Sequence, residues 1–404
     1  MFRAVAAVVG LLLAVAGVAV GAESVSDFVR RHWATPIRPQ GPAPKGWSAL
    51  EASLQPKDCG TCHPAQYGDW RTSVHAASMG PGIAGQLVEM RATNPAAGLE
   101  CAPCHAPLAE QSAVMRTRAG VVPNPAHDGE LRGQGVVCAA CHVRGRQRFG
   151  PPRRDGALQS ATPRARLPHR GVTRTPAFLA SEFCRECHQF RPDGFAVNGK
   201  LLQNTYEEWK ASRFAREGTQ CQDCHMPDRR HLWRGIHDEA MVRSGLEITL
   251  SPDTPALAVG GDFALTLEVK NARVGHALPT YVTPRVILRG ELIDPTGEVV
   301  ANSRQETVIA REVELDLSRE FSDTRLAPGQ SARLRYEGRA EEAGARVRLS
   351  VIVEPDAFYT RFFETLLAQG AGRGESQIRE ALEATRRSPF VVFRREVSIG
   401  GRDR

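Results

Sequence analysis

The sequence predicts a multidomain chain: a mainly α-helical and coil domain organised by repeated cysteine motifs, followed by an antiparallel β-sandwich with two added helices. Three observations carry this. All ten cysteines lie between Cys59 and Cys224, in pairs that are each followed at once by histidine. From about Leu246 the pattern changes to alternating apolar and polar residues bounded by turn sequences. A length of 404 residues also suits two domains better than one. The boundaries read from these changes are 1–22, 23–245 and 246–404.

The opening stretch MFRAVAAVVGLLLAVAGVAVGAES has one positive charge at Arg3, an apolar run from Ala4 to Val20 and a small-residue exit. That is the pattern of a secretory signal peptide cut after Ala22. The other reading is an uncleaved anchor, which the short run and its small residues disfavour. No cysteine precedes Cys59, so a lipid-anchoring cysteine at the cleavage point is excluded. No later segment has the apolar length to span a bilayer. The expected location is the periplasm, with the cell surface or the medium as alternatives.

In an exported chain, ten cysteines would ordinarily read as disulfides. Their spacing says otherwise. The motifs are CGTCH (Cys59, Cys62, His63), CAPCH (Cys101, Cys104, His105), CAACH (Cys138, Cys141, His142), CRECH (Cys184, Cys187, His188) and CQDCH (Cys221, Cys224, His225). C-x-x-C-H is a c-type haem attachment pattern. Two cysteines three apart share one face of a helical turn, so both sulfurs can add to the vinyl groups of one porphyrin. The next histidine then projects under the ring as an axial ligand to the iron. Redox-active pairs and zinc knuckles are the alternatives, but five copies consume every cysteine. The expected cofactors are therefore five haem c groups. The porphyrins would form much of the core, with short helices at each motif. Stretches such as PNPAHDGELRGQG lack periodicity and are rich in breakers, so they are expected as coil.

Twelve histidines are present, and five are committed to the motifs. His32, His75, His127, His169, His231, His237 and His276 remain, enough to close every iron with a second imidazole. At this point the residues resemble a known group. CGTCHPAQYGDWRTSVHAASM resembles the first haem segment of multihaem cytochromes related to hydroxylamine oxidoreductase and the tetrahaem cytochrome that takes electrons from it. NTYEEWKASRFAREGTQCQDCHMPDRRHLWRGIHD resembles the same proteins. GHALPT resembles a glycine-histidine element in the β-domain that follows the haem domain in some of them. The resemblance implies a helix continuing from the first motif, Trp70 near a ring, and His75, His169, His231, His237 and His276 as distal ligands. His231 and His237 stand six apart and do not share a helical face, so they would serve different haems. His127 is the main substitute for His231 or His169. His32, close to the expected mature terminus, is expected to be solvated. No C-x-x-C-K site exists, and five motifs differ from the octahaem oxidoreductases.

In the second domain, LEITLS, DFALTLEVKN, PRVILRGELID, SARLRYEGR, ARVRLSVIV and FVVFRREVSI each place apolar side chains on one face. SPDTP, VGGD, DPTGE and LAPGQ supply turns. PDAFYTRFFETLLAQG and ESQIREALEATRR have helical spacing. The first carries a stripe of Phe358, Phe362, Phe363, Leu366 and Leu367, read as packing residues rather than a cofactor box. His276 falls in a loop after the strand ending near Asn271. Gly275 would allow close backbone approach there and Pro279 would stiffen the exit.

The formal charge of +7 falls when Arg3 leaves. Ten haem propionates, partly offset by ferric irons, then bring the holoprotein to about +1 oxidised and about −4 reduced. A basic pI therefore gives no reason to expect nucleic-acid binding. The arginines between Arg144 and Arg170 suit pairing with propionates. The function expected first is a periplasmic electron carrier relaying electrons between unidentified redox partner proteins. The alternative is a multihaem oxidoreductase acting on a small nitrogen or sulfur compound at one open haem. A structural role in a homo-oligomer or haem-stacking assembly is the third reading.

Overall fold

The computed structural model describes residues 23–254, 257–339 and 341–400; the expected signal peptide lies outside them. Each motif occupies one short helix: Pro56–Cys62, Ala102–His105, Cys138–His142, Arg185–His188 and Cys221–His225. Such one- and two-turn helices are not stable alone and depend on what packs around them. The first one ends at His63, with φ −121° and ψ 56°, and a separate helix Pro64–Trp70 follows. This departs from the continuous helix that the resemblance implied. Pro64 lacks an N–H and crowds the residue before it out of the helical region. Trp70 is buried and its indole N–H donates to the Val136 carbonyl at 2.8 Å.

The helix Val25–His32 is capped by Ser24, whose hydroxyl accepts the Asp27 N–H. It buries Phe28 and Val29 in a core shared with Trp33, Leu54, Trp70, Leu131, Val137, Phe149 and Phe183. His32 belongs to this core too. It is 1% exposed, lies 5.0 Å from the Phe28 ring, and its Nε2 meets the Cys141 carbonyl at 2.8 Å. The expectation of a solvated terminal histidine is corrected: the aromatic cluster draws the N-terminal helix onto the third motif.

The C-terminal part is built on two larger antiparallel sheets, beside the two-stranded pair of Arg311–Val313 with Glu320–Asp323. One runs in the order Gln305–Ile309, Arg285–Ile293, Arg346–Glu354, Phe390–Ser398; the other runs Ser331–Arg339, Asp262–Asn271, Leu246–Pro252. Their apolar faces share one core, where Leu265, Leu267 and Val269 meet Val286, Leu288, Val347, Leu349 and Val351. Gly290 makes room for Tyr336: a Cβ there would fall 2.2 Å from the tyrosine ring. The Tyr336 hydroxyl donates to the Ser303 carbonyl at 3.0 Å. The expected strands are present, along with Gln305–Ile309, Arg311–Val313 and Glu320–Asp323, short segments without a clear alternation.

The contacts that join this part to the motif-bearing part include an apolar one and a polar one. Helices Ala357–Gln369 and Glu375–Arg386 pack back onto helix Pro81–Thr93. Phe363 lies over Gly82, and Gly374 touches the Gly85 backbone so closely that a Cβ would collide with its carbonyl. Phe363 thus packs on the N-terminal part, while Phe358 joins a small core with Val197 and Val313. The second contact is polar. Arg311, 1% exposed, pairs with Glu320 at 2.8 Å and donates to the Val197, Lys200 and Leu201 carbonyls. Lys200 reaches Glu320 and Asp323, both at 2.8 Å.

Candidate haem centres

The short motif helices present their cysteines close together in space. Cys59 and Cys138 lie within electrostatic reach of each other, as do Cys104 and Cys187, and Cys184 and Cys221. The second motif is also tied to the fourth through Cys187 and the Pro103 carbonyl at 3.8 Å. Cys141 of the third motif lies within electrostatic reach of Cys184 and Cys187. The first motif thus borders the third, while the fourth borders the second, third and fifth.

Three motif histidines face a second imidazole from elsewhere in the chain. His188 and His75 have ring centroids 6.2 Å apart, His142 and His231 6.1 Å, and His225 and His276 6.4 Å. An imidazole nitrogen sits about 2 Å from a bound transition metal and its ring centre about 1 Å further. Two imidazoles on opposite sides of one ion therefore hold their centroids about 6 Å apart. The donor set fits an axially ligated iron in all three places. The ring planes differ, at 63°, 32° and 13°.

The other ring nitrogen is engaged in most of these residues, which sets the tautomer and leaves Nε2 for a metal. His105 Nδ1 meets the Ser78 carbonyl at 2.8 Å, His142 that of Phe149 at 2.8 Å, and His225 that of Arg234 at 2.6 Å. His188 Nδ1 instead meets the Tyr281 hydroxyl at 2.8 Å. Among the distal candidates, His231 Nδ1 faces the Arg229 carbonyl at 3.1 Å and His276 Nδ1 that of Ala277 at 2.9 Å. Burial holds His75 down at about 3, and His142, His188 and His276 at about 4. Each is therefore neutral, the form that ligates.

The remaining candidates are placed differently. His169 has φ 41°, a left-handed backbone uncommon outside glycine. Its N–H donates to Glu51 at 2.8 Å, its Nδ1 is buried without a partner, and it lies within electrostatic reach of His63. His237 is half-exposed and its Nε2 meets Asp356 at 3.0 Å, away from the paired imidazoles. His127 has a buried Nε2 without a hydrogen-bond partner, beside the segment that links Glu110 and Gln55 through Asp128. A cavity beside Cys101 is lined by Met79, Leu87, Arg91, Gln111 and Arg132.

Several positioning residues escaped sequence reasoning. Asn271 is fully buried; its amide donates to the His276 and Leu326 carbonyls, both at 2.9 Å, and its oxygen accepts the Val274 N–H at 3.1 Å. Glu208 accepts from the Ala277 N–H at 3.1 Å and the Thr280 hydroxyl at 3.2 Å. Gly275, the one residue here that the sequence did single out, packs against Trp209, with 3.2 Å to the ring from where a Cβ would sit. Together they hold the 272–284 loop so that His276 reaches His225. Asp69, buried, accepts two bonds from Arg230, at 2.7 and 2.5 Å, and one from the His231 N–H at 3.0 Å. Gly135 sits at φ +65° with a Cβ position 2.4 Å from the His75 carbonyl, so only glycine fits beside that ligand candidate. The one sequence signal for these was polar residues inside apolar or aromatic segments.

Residues 58–143 match the family described as cytochrome c554 and c-prime. The match spans the first three motifs. The fold is similar to that of a penta-heme cytochrome c552 from Thermochromatium tepidum, with a TM-score of 0.55 and 19% identity, over 87% of this chain and 100% of that one. No curated protein matches the chain. The first three motifs thus lie in a segment similar to that family, and the fold is similar to that of the penta-heme protein. Among the described residues, no helix is long and apolar enough to cross a membrane.

Proposed function

We propose that the chain is an exported electron-transfer protein with five covalently attached c-type haems, most or all held by two histidines, relaying electrons between redox partner proteins. The observation that carries this is the set of three imidazole pairs at 6.1–6.4 Å, each joining a motif histidine to one from a different segment. Cys59, Cys62, Cys101, Cys104, Cys138, Cys141, Cys184, Cys187, Cys221 and Cys224 would supply the thioether bonds. His63 and His169 would make a fourth pair. Bound haem supplies an iron that gains and loses one electron at a time.

The chain's own part is to place these centres and keep water from them. Phe28, Trp33, Phe149, Phe178 and Phe183 surround the third and fourth motifs with apolar rings. The borders between motifs make a branched order, first to third to fourth, with the second and fifth also meeting the fourth. We read the C-terminal sheets as a β-sandwich whose 272–284 loop completes the fifth centre through His276. The signal-like pattern of residues 1–22 supports this reading of export, and the periplasm is the proposed location.

The oxidoreductase alternative would need one haem with an open sixth position. Electron paramagnetic resonance of the oxidised protein, with haem content by pyridine haemochrome, separates the readings. Five haems with only low-spin signals are expected of the carrier. A stoichiometric high-spin haem would replace it with the enzyme reading, and fewer than five haems would overturn the attachment sites.

A further inference from the structure

Four motif histidines have their Nδ1 engaged, and one of them is unlike the others. His105, His142 and His225 each face a main-chain carbonyl from a nearby segment. His188 faces the side chain of Tyr281, which comes from the C-terminal part. Tyr281 sits on the 272–284 loop, five residues after His276, and so one loop meets both the fourth and the fifth centres. Thr205 and Gln203 lie beside the phenol. The fourth motif is the one that borders three others.

We infer that Tyr281 is a positioning residue that sets the reduction potential of the haem held by Cys184, Cys187 and His188. A carbonyl that accepts the Nδ1–H makes a ligating imidazole more basic, and a more basic ligand favours the oxidised iron. A phenol oxygen is a weaker acceptor than a peptide carbonyl. The fourth centre therefore receives less of this push than the carbonyl-backed centres, and its reduced form is favoured relative to theirs by this contact. An electron arriving from any of the three neighbours is held at the junction. The loop that supplies His276 thus also ranks the centre beside it. This rests on the proposed five-haem reading.

The test is a potentiometric titration of the holoprotein carrying Tyr281→Phe, followed optically and by electron paramagnetic resonance. Haem content is measured first: fewer than five haems in the wild type overturns the haem reading itself, whereas five haems with no shift overturns only the role of Tyr281. Loss of the last acceptor is expected to raise the reduced-to-oxidised ratio of one haem about two- to tenfold at fixed solution potential, the range of a single neutral hydrogen bond. Tenfold corresponds to about 59 mV for one electron. The other four components stay in place, and all five haems stay attached. Glu208→Gln is the control, since it loosens the same loop without touching His188. An unchanged titration, a drift of all five components, or the same shift in Glu208→Gln would overturn the inference. Fluorotyrosine placed at 281 keeps the shape and weakens the oxygen as an acceptor. It is expected to move the same component in the same direction, and its failure to do so counts against the inference even where Tyr281→Phe loses haem.

Discussion

Replacing Asn271 with Ala should unseat His276 without touching a haem or a histidine. The side chain is 0% exposed and makes three hydrogen bonds inside the 271–278 turn and to the neighbouring strand end. The Leu326 carbonyl keeps a second partner, the Leu278 N–H at 2.9 Å. The His276 carbonyl and the Val274 N–H lose theirs. At about 1–3 kcal/mol for each buried group left unpaired, the loss comes to about 2–4 kcal/mol after partial relaxation. For a unit of this size that lowers the melting temperature by roughly 5–15 °C. Thermal unfolding followed by near-ultraviolet circular dichroism measures it. The loop also carries the fifth centre's distal candidate, so a fraction of one haem should turn high-spin at temperatures where the fold is intact. A melting temperature within a degree or two of wild type, with unchanged spin states, would show that Asn271 does not hold the loop.

Direct removal of the ligand is the sharper version: His276→Ala should convert one low-spin haem to high-spin with all five haems attached, and an unchanged spectrum would return the loop to the surface. His231→Ala should do the same for the third centre. His237→Ala should leave every spin state as it was, because its Nε2 is committed to Asp356, and a new high-spin signal would place it on an iron. Acid should loosen the junction between the two parts through Asp323. Burial pushes this carboxyl up, but hydrogen bonds and charge from Arg325 and Lys200 outweigh it and hold the group below its ordinary value. Its contribution is present above an unfolded value of about 4 and is lost as pH falls through the lowered folded value. The stability gap between wild type and Asp323→Asn, from denaturant titrations at a series of pH values, should therefore shrink on acidification, and a constant gap would refute the assignment.

The C-x-x-C-H motifs were legible because their pattern is local. Five consecutive residues put two sulfurs and an imidazole on one helical turn, and no distant contact is needed to read them. The strands were legible for a similar reason, since alternation reports which face is buried. Gln305–Ile309 and the short strands after it were not, because edge segments of a few residues carry too little pattern. His32 misled because nearness to a chain end says nothing about the aromatic cluster that buries it. The resemblance picked out His75, His231 and His276, which the structure brings to 6.1–6.4 Å from motif histidines, whereas His237 is exposed and pairs with Asp356.

By itself, then, the sequence determined where the five C-x-x-C-H motifs lie and that a strand-rich part follows them. Only the tertiary structure decided which imidazole faces which, that the fourth motif borders three others, and that Tyr281 rather than a carbonyl backs His188. The reason is physical. A thioether motif is specified within one helical turn, but an opposed pair of imidazoles needs two remote segments held about 6 Å apart across a core. Buried anchors such as Asn271, Asp69 and Glu208 impose that distance, and only the folded chain reveals their partners.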